Sequence, residues 1–257
     1  MSSAETPRVH ELAGGVWQFV GAQRSAHSYL FKGRRRIALV DSGLPTTTAY
    51  LEACLATLGL APRHVDLLVL THEHIDHAGG APFFAAQCLV AAHAQAANKL
   101  ALADDFSLMT KAFAEAARPF QVDLCCAEGT AVELGGLTLE VVHTPGHCSG
   151  SVCLYVPQRR VLVAGDTIMA GGVVGGVLLS GNTSDYIGSL ERLQRLRIDA
   201  LLPGHGRVSQ DAQADLEAGR ARLAAMLEDS HTLFAALRET DRGFGEVMRS
   251  LRDLNQL

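Results

Sequence analysis

The chain has 257 residues, 48% of them hydrophobic and 19% charged, with a formal net charge of −5 and a mean hydropathy of +0.15, so it can bury a sizeable core and is not disordered in its main state. Its acidic balance, with no basic tract longer than Arg34 to Arg36, gives no electrostatic footprint for duplex nucleic acid and disfavours a nucleic-acid partner. The amino terminus lacks a basic start followed by an apolar run. A charge-free, apolar-looking stretch, Thr167 to Ser184, is broken by glycines, so neither a secretory signal nor a membrane span is expected.

Short β-branched and aromatic runs at Val16 to Val20, Ser28 to Phe31 and Ile37 to Val40 predict an opening meander. Pro45 starts a helix carrying Tyr50, Leu51, Cys54, Leu55 and Leu58 at helical spacing, and Gly59 stops it. Val65 to Leu70 reads as a buried strand that delivers the chain into the polar cluster THEHIDHAGG. His93 to Ala117 is alanine-rich and helical in pattern. Strands follow at Val132 to Leu134, Leu137 to His143, Ser151 to Val156 and Val161 to Ala164. Asp185 to Leu196 and Gln210 to Glu228 read as helices around a strand at Ala200 to Leu202, and the tail from His231 to Leu254 is helical in pattern. Without linkers or repeats, one α/β domain over 1–257, with carboxy-terminal helices from about 209, is the economical organisation. Six cysteines, at 54, 88, 125, 126, 148 and 153, show neither zinc-finger spacing nor a disulfide framework, which points to free thiols and a cytoplasmic location.

His72, His74, Asp76 and His77 fall within six positions. The two-residue spacing of the first two histidines at a strand end turns both imidazoles to one side, and Asp76 and His77 follow where the chain enters a helix and can face the same cavity. Three more candidates each sit beside a glycine at the end of an apolar strand: His147 in TPGHCSG, Asp166 in VLVAGDT and His205 in LLPGHG. Imidazole and carboxylate together suit zinc first, with iron, manganese or cobalt also compatible. A surface histidine cluster is the bland alternative, and so many ligand-capable residues at strand ends argue against it.

HxHxDH, then PGH, GD and PGHG in that order resembles the metallo-β-lactamase superfamily over about Val16 to Val208. The resemblance implies an α/β (α+β) four-layer αββα sandwich. His72, His74 and His147 would then hold one divalent metal ion, Asp76, His77 and His205 a second, and Asp166 would bridge the pair. Two such ions can share a hydroxide near neutral pH and polarise a carbonyl or phosphoryl oxygen, with Asp76 placed to hydrogen-bond the hydroxide and help protonate the leaving group. Asp41, in ALVDSG, resembles the family turn whose aspartate orients the ligand loops; a plain turn aspartate is the alternative. Asp166 departs from the cysteine or serine of true β-lactamases and points to the hydrolase side of the superfamily. The glyoxalase II pattern is partial, since PGHG replaces CGHEYT, and the lactonase pattern is partial, since Met169 replaces a tyrosine. The segments GDTIMAGG, DYIGSLERLQRL and LLPGHGRV resemble the lactamase-like single-strand endoribonucleases. The expected function is cleavage of a small ester, thioester or lactone by a dinuclear, zinc-dependent hydrolase. A single-strand endoribonuclease or phosphodiesterase is the first alternative and a non-catalytic metal-containing binding module the second.

Around this centre, the glycine-rich segment Ala170 to Gly181 reads as a flexible loop on the substrate side. His27, Tyr29 and Tyr186 are candidate cavity residues, Met169, Leu178 and Leu179 a candidate apolar mouth, and Phe106, Leu108, Met109 and Phe113 a covering helix or core. Thr71 and Thr144 are expected to bond backbone. Cys148 reads as a buried small residue, and Cys125 and Cys126 have no assigned role. Leu223, Met226, Leu227, Leu233, Phe234 and Leu237 could form a homodimer surface.

Overall fold

The computed structural model describes residues 5–178 and 180–239, with side chains described to Ser230. Its elements run β1 (Val9–Ala13), β2 (Val16–Phe19), β3 (Ser28–Lys32), β4 (Ile37–Val40), α1 (Thr48–Thr57), β5 (Leu67–Val69), α2 (Ile75–Ala78), α3 (Ala81–Phe84), β6 (Leu89–His93), α4 (Ala94–Leu102) and α5 (Thr110–Phe113). The second half follows with β7 (Leu124–Cys126), β8 (Ala131–Glu133), β9 (Thr138–His143), β10 (Val152–Val156), β11 (Val161–Gly165), α6 (Thr183–Leu193), β12 (Ala200–Pro203) and α7 (Ala212–Glu239).

Period-2 alternation sorts these strands into two sheets and four layers. On β3, Tyr29 and Phe31 face one way and Leu30 the other; Ala38 and Val40 oppose Leu39 on β4, and Leu67 and Val69 oppose Leu68 on β5. The first set meets Val152, Leu154 and Val156 of β10 and Val161 and Val163 of β11 in the central core. The second set packs outward against Leu51 and Leu55 of α1, Phe84 of α3 and Leu100 of α4. Cys153, Tyr155, Leu162 and Ala164 point out of the other sheet onto Tyr186, Leu190 and Leu193 of α6 and Leu216 and Leu223 of α7. The result is an αββα sandwich, with a seven-stranded sheet in the order β1 to β7 and a five-stranded sheet in the order β12-β11-β10-β9-β8.

Strand direction decides where chemistry collects. β4, β5 and β6 are parallel neighbours, as are β11 and β12. Asp41 follows β4, Thr71 to His77 follow β5, Asp166 follows β11 and Gly204 and His205 follow β12, so all lie at carboxyl ends of parallel strands.

Three strands escape the sequence pattern. β1 is a half-exposed edge, β6 reads LVAAH and looks helical by composition, and β7 has three residues. The helix expected over His93 to Ala117 is instead α4 and the single turn α5, separated by a turn with Ala103 and Met109 at positive φ. Its reason is local: Asp104 accepts from Phe106 N and Ser107 Oγ, and Asp105 accepts from Thr110 Oγ1, so side chains compete with the helix for backbone geometry. α7 runs unbroken across the junction expected near Ser230. Leu223 is fully buried against the five-stranded sheet and cannot serve a dimer face, whereas Met226 is exposed. The side chains of Leu233, Phe234 and Leu237 lie outside the described residues, as do residues 240–257.

Candidate metal centre and active site

Seven side chains converge in two groups: His72, His74, His147 and Asp166 in one, and Asp76, His77 and His205 in the other, with ligand-capable atoms within 4.8 Å of one another in each. In the first group, His74 Nδ1 lies 2.9 Å from His72 Nε2 and 3.1 Å from His147 Nε2. In the second, Asp76 Oδ2 lies 3.0 Å from His205 Nε2 and 3.8 Å from His77 Nε2. Asp166 joins them with different oxygens: Oδ2 stands 3.8 Å from His147 Nε2, while Oδ1 stands 3.2 Å from His77 Nε2 and 3.7 Å from His205 Nε2. β5 ends at Val69, so His72 and His74 belong to the following loop, and the loop turns them inward rather than the strand pleat that their spacing suggested.

Each imidazole is oriented by what its outer atoms touch. His147 Nδ1 is 2.6 Å from the Gly176 carbonyl and must donate to it, which leaves the Nε2 lone pair facing the cluster. His77 Nδ1 donates likewise to Asp41 Oδ2 at 2.8 Å. Asp41 also accepts from Thr71 N and Thr71 Oγ1, both at 2.8 Å, and the Thr71 hydroxyl in turn lies 3.1 Å from His72 Nδ1. Asp41 therefore braces two ligand-bearing positions, and it does so at a φ of +58°, a conformation that aspartate tolerates better than most residues. Cys148 Sγ, buried, lies 3.2 Å from His74 Nε2.

The electrostatics separate the two groups. Burial, and then neighbouring imidazoles, push the His72 pKa well below the usual histidine value; burial, and then His147, lower that of His74 to about 3. Burial acts the same way on His77, but the carboxylates of Asp166, Asp76 and Asp41 outweigh it and raise its pKa well above the usual value. Burial opposes ionisation of Asp166, yet His77 and then His205 and His147 hold its carboxyl below the ordinary range. The unprotonated imidazoles of the first group and the two ionised carboxylates make a field that favours cations. His77 Nε2 and Asp166 Oδ1 are buried without a hydrogen-bond partner. Such atoms are costly to bury unless something satisfies them, and a shared cation would do so. These residues fit a pair of metal ions.

Backbone closeness is part of the construction. A Cβ on Gly204 would stand 2.5 Å from His77 Cε1 and 2.6 Å from Asp166 Oδ1, and one on Gly175 would stand 2.8 Å from His147 Nδ1. The segment expected to be a flexible loop is in fact pinned: Gly171 N donates to Asp215, Gly175 N to Asp166 O and Leu178 N to His147 O. Leu179 lies outside the described residues.

Three expected cavity residues sit elsewhere. Tyr29 is buried in the central core and donates to Pro203 O at 2.6 Å, and Tyr186 donates to the Asp166 and Thr167 carbonyls; both hydroxyls fix ligand-bearing loops from behind. Met169 pairs its backbone with Val173 and lines neither cavity at the centre. Apolar surroundings drew the two tyrosine rings inward and left their hydroxyls the nearest carbonyls. His27 also braces, since its Nε2 donates to Gly206 O beside His205. Thr144 bonds Thr167 Oγ1 and Thr71 bonds Asp41, so both hydroxyls use side chains rather than backbone.

Two cavities open at the centre. One, of about 440 Å³, lies over Asp76, His147, Asp166 and His205 and carries Arg24 on its wall. The Arg24 guanidinium is held 4.5 Å over the Phe113 ring and donates to Ala112 O. The other, of about 570 Å³, extends from His74 and Cys148 to Phe106, Met109 and Leu178. Sequence reasoning missed Arg24, and it missed Glu73, which is buried between two ligand positions and paired with Lys99. An isolated arginine gives no pattern, but a glutamate inside HxHxDH beside an otherwise apolar strand was a readable signal.

The family model of the metallo-beta-lactamase superfamily matches residues 21–205. The chain belongs to that superfamily. Among relatives, human acyl-coenzyme A thioesterase MBLAC2 is 31% identical over 237 residues, covering 80% of this chain and 83% of the relative. The atrochrysone carboxyl ACP thioesterase of Aspergillus fumigatus is 26% identical over 213 residues, covering 82% of this chain and 60% of that one. Among solved structures, the metallo-beta-lactamase family protein TTHA1429 from Thermus thermophilus has a TM-score of 0.72 at 28% identity, covering 85% of this chain and 82% of that one. The sandwich and the loops at the strand ends are those of a metallo-beta-lactamase fold. Among the described residues, no helix is long and apolar enough to cross a membrane.

Proposed function

We propose that the chain is a two-metal hydrolase of acyl thioesters. The observation that carries the dinuclear part is Asp166, whose two oxygens face different histidine groups while one of them has no other partner. The thioester part rests on the relatives named as thioesterases and on an apolar cavity that shares a wall with the metal centre. His72, His74 and His147 would hold one ion and Asp76, His77 and His205 the other, with Asp166 between them and zinc the best match to the donor set. Ions bound there would activate water and polarise the thioester carbonyl.

The protein's own groups do the rest. Asp41, Thr71 and the Gly176 carbonyl fix the imidazole orientations before substrate arrives, so no reorganisation is required during reaction. Asp76, at the edge of the open cavity, is positioned to accept a proton from the attacking water and return it to the departing sulfur. In the overall reaction a C–O bond forms, the C–S bond breaks and the thiol leaves protonated. Arg24 offers a fixed cation to an anionic leaving group. The test is hydrolysis of acyl-CoA, lactone, β-lactam and single-stranded RNA substrates by the metal-loaded protein with and without chelator. Chelator-sensitive release of free thiol supports the proposal. Cleavage of RNA alone would replace it with the phosphodiesterase reading, and metal binding without turnover of any substrate would favour a binding module.

A further inference from the structure

The two cavities meet at His74, Met109, Ala112 and Leu178, and their chemistry differs. The smaller one exposes the carboxylates and imidazoles of the centre. The larger leads away from it between Phe106, Met109 and Leu178, over Cys148. Of the charged residues at its rim, Asp104 accepts from Ser107 Oγ and Phe106 N and Asp105 accepts from Thr110 Oγ1, while Lys111 also lines it. Ser180, on the same wall, receives a hydrogen bond from Lys99, whose ammonium also pairs with Glu73. One cation thus ties the cavity wall to the loop that carries His72 and His74. Phe106 is 66% exposed where it lines this cavity, so its ring is open to an apolar ligand there. A volume of about 570 Å³ lies in the range of sites that enclose small ligands.

We infer that this cavity is the acyl-chain site of the thioester substrate, with Phe106, Met109 and Leu178 gripping the chain so that its carbonyl is presented beside His74. The inference rests on the thioesterase reading and adds a substrate class to it: straight, uncharged acyl groups long enough to reach Phe106. Each methylene moved from water onto these walls contributes about fourfold to kcat/KM until the cavity is filled.

The experiment compares acetyl-, hexanoyl-, decanoyl- and palmitoyl-CoA as substrates of the metal-loaded protein and of Ser107→Trp and Phe106→Ala. Ser107 lines the larger cavity and not the smaller one. Calorimetric titration with decanoate runs alongside. The wild type is expected to show kcat/KM rising from acetyl to decanoyl. Ser107→Trp, filling the cavity, keeps acetyl-CoA turnover and loses at least tenfold on decanoyl-CoA together with decanoate binding. Phe106→Ala, at an exposed position that the fold does not depend on, loses about tenfold on decanoyl- and palmitoyl-CoA relative to acetyl-CoA and serves if the tryptophan variant fails to fold. Thioester turnover with an unchanged chain-length profile in the folded variants overturns the acyl site and leaves the thioesterase reading intact. No turnover of any thioester overturns the thioesterase reading, and the decanoate titration then decides the cavity by itself. Binding lost in the variants upholds a site for an acyl chain; equal binding in all proteins, or none in the wild type, overturns it.

Discussion

Replacing Lys99 by methionine isolates a charge that the fold cannot hydrate. Glu73 is fully buried and its Oε2 has no partner, so the Lys99 ammonium bonded to Oε1 is its only compensation among the described residues. The Lys99 side chain is only 18% exposed and its ammonium also reaches Ser149 and Ser180, so solvent screens the pair weakly. Removing one partner of such a pair costs about 3–5 kcal/mol, whereas replacing both by apolar groups is often close to neutral. For a chain of this size each kcal/mol lowers Tm by about 2–4 °C, giving an expected fall of about 6–20 °C in Lys99→Met. Glu73→Met with Lys99→Met should recover most of it. Differential scanning calorimetry of the wild type, both single variants and the double variant closes the cycle. A fall below about 2 °C in Lys99→Met, or a double variant as unstable as the sum of the singles, would refute the buried-pair reasoning.

Gly204→Ala is expected to push a methyl against His77 and Asp166, lowering bound metal and hydrolysis together and lowering Tm by about 2–12 °C through overpacking; metal analysis and calorimetry check it. Arg24→Ala should raise KM about tenfold for acyl-CoA substrates and leave uncharged acyl-cysteamine thioesters unaffected, since only the former offer phosphates to the guanidinium. Equal KM changes for both would show that Arg24 acts by packing. His93, stacked on His143 with ring centroids 4.0 Å apart, has its pKa lowered by burial and then by His143 and Lys99. Its Nδ1 also accepts Gln95 N at the start of α4, which a protonated ring cannot do. Because the folded pKa lies below the unfolded one, stability is complete above the usual histidine value and falls as pH drops through that value toward the lowered one. His93→Gln should therefore flatten the dependence of Tm on pH below neutrality; parallel wild-type and variant curves would remove His93 as the cause.

The site was more legible in the sequence than the elements that carry it. Ligand chemistry demands particular residue types, and His72, His74, Asp76, His77, His147, Asp166 and His205 stand out against apolar strands and glycines; the structure brings all seven together. The sandwich followed from the same motifs, and the central strands β3, β4, β10 and β11 were readable because burial on both faces leaves continuous apolar runs. Three strands were not: β1 and β7, at the two edges of the seven-stranded sheet, bury little, and β6 beside β7 is stabilised by neighbours rather than by its own alanine-rich composition. Tyr29 and Tyr186 show why substrate residues are harder than ligands. An aromatic ring packs equally well in a core or at a cavity, and only tertiary placement revealed their hydroxyls bonded to the backbone of the Pro203 and Asp166 loops. The 103–114 turn, where side-chain hydrogen bonds displace the expected helix, likewise forms walls of both cavities with residues far in sequence from the motifs.

The most direct test of a two-metal centre is elemental analysis of the purified wild type and Asp166→Ala, each assayed for chelator-sensitive hydrolysis of decanoyl-CoA. Two divalent ions per chain in the wild type, with at most one remaining and hydrolysis lost in Asp166→Ala, is the result expected from a carboxylate shared between the two histidine groups. Unchanged metal content and unchanged hydrolysis in Asp166→Ala would contradict it.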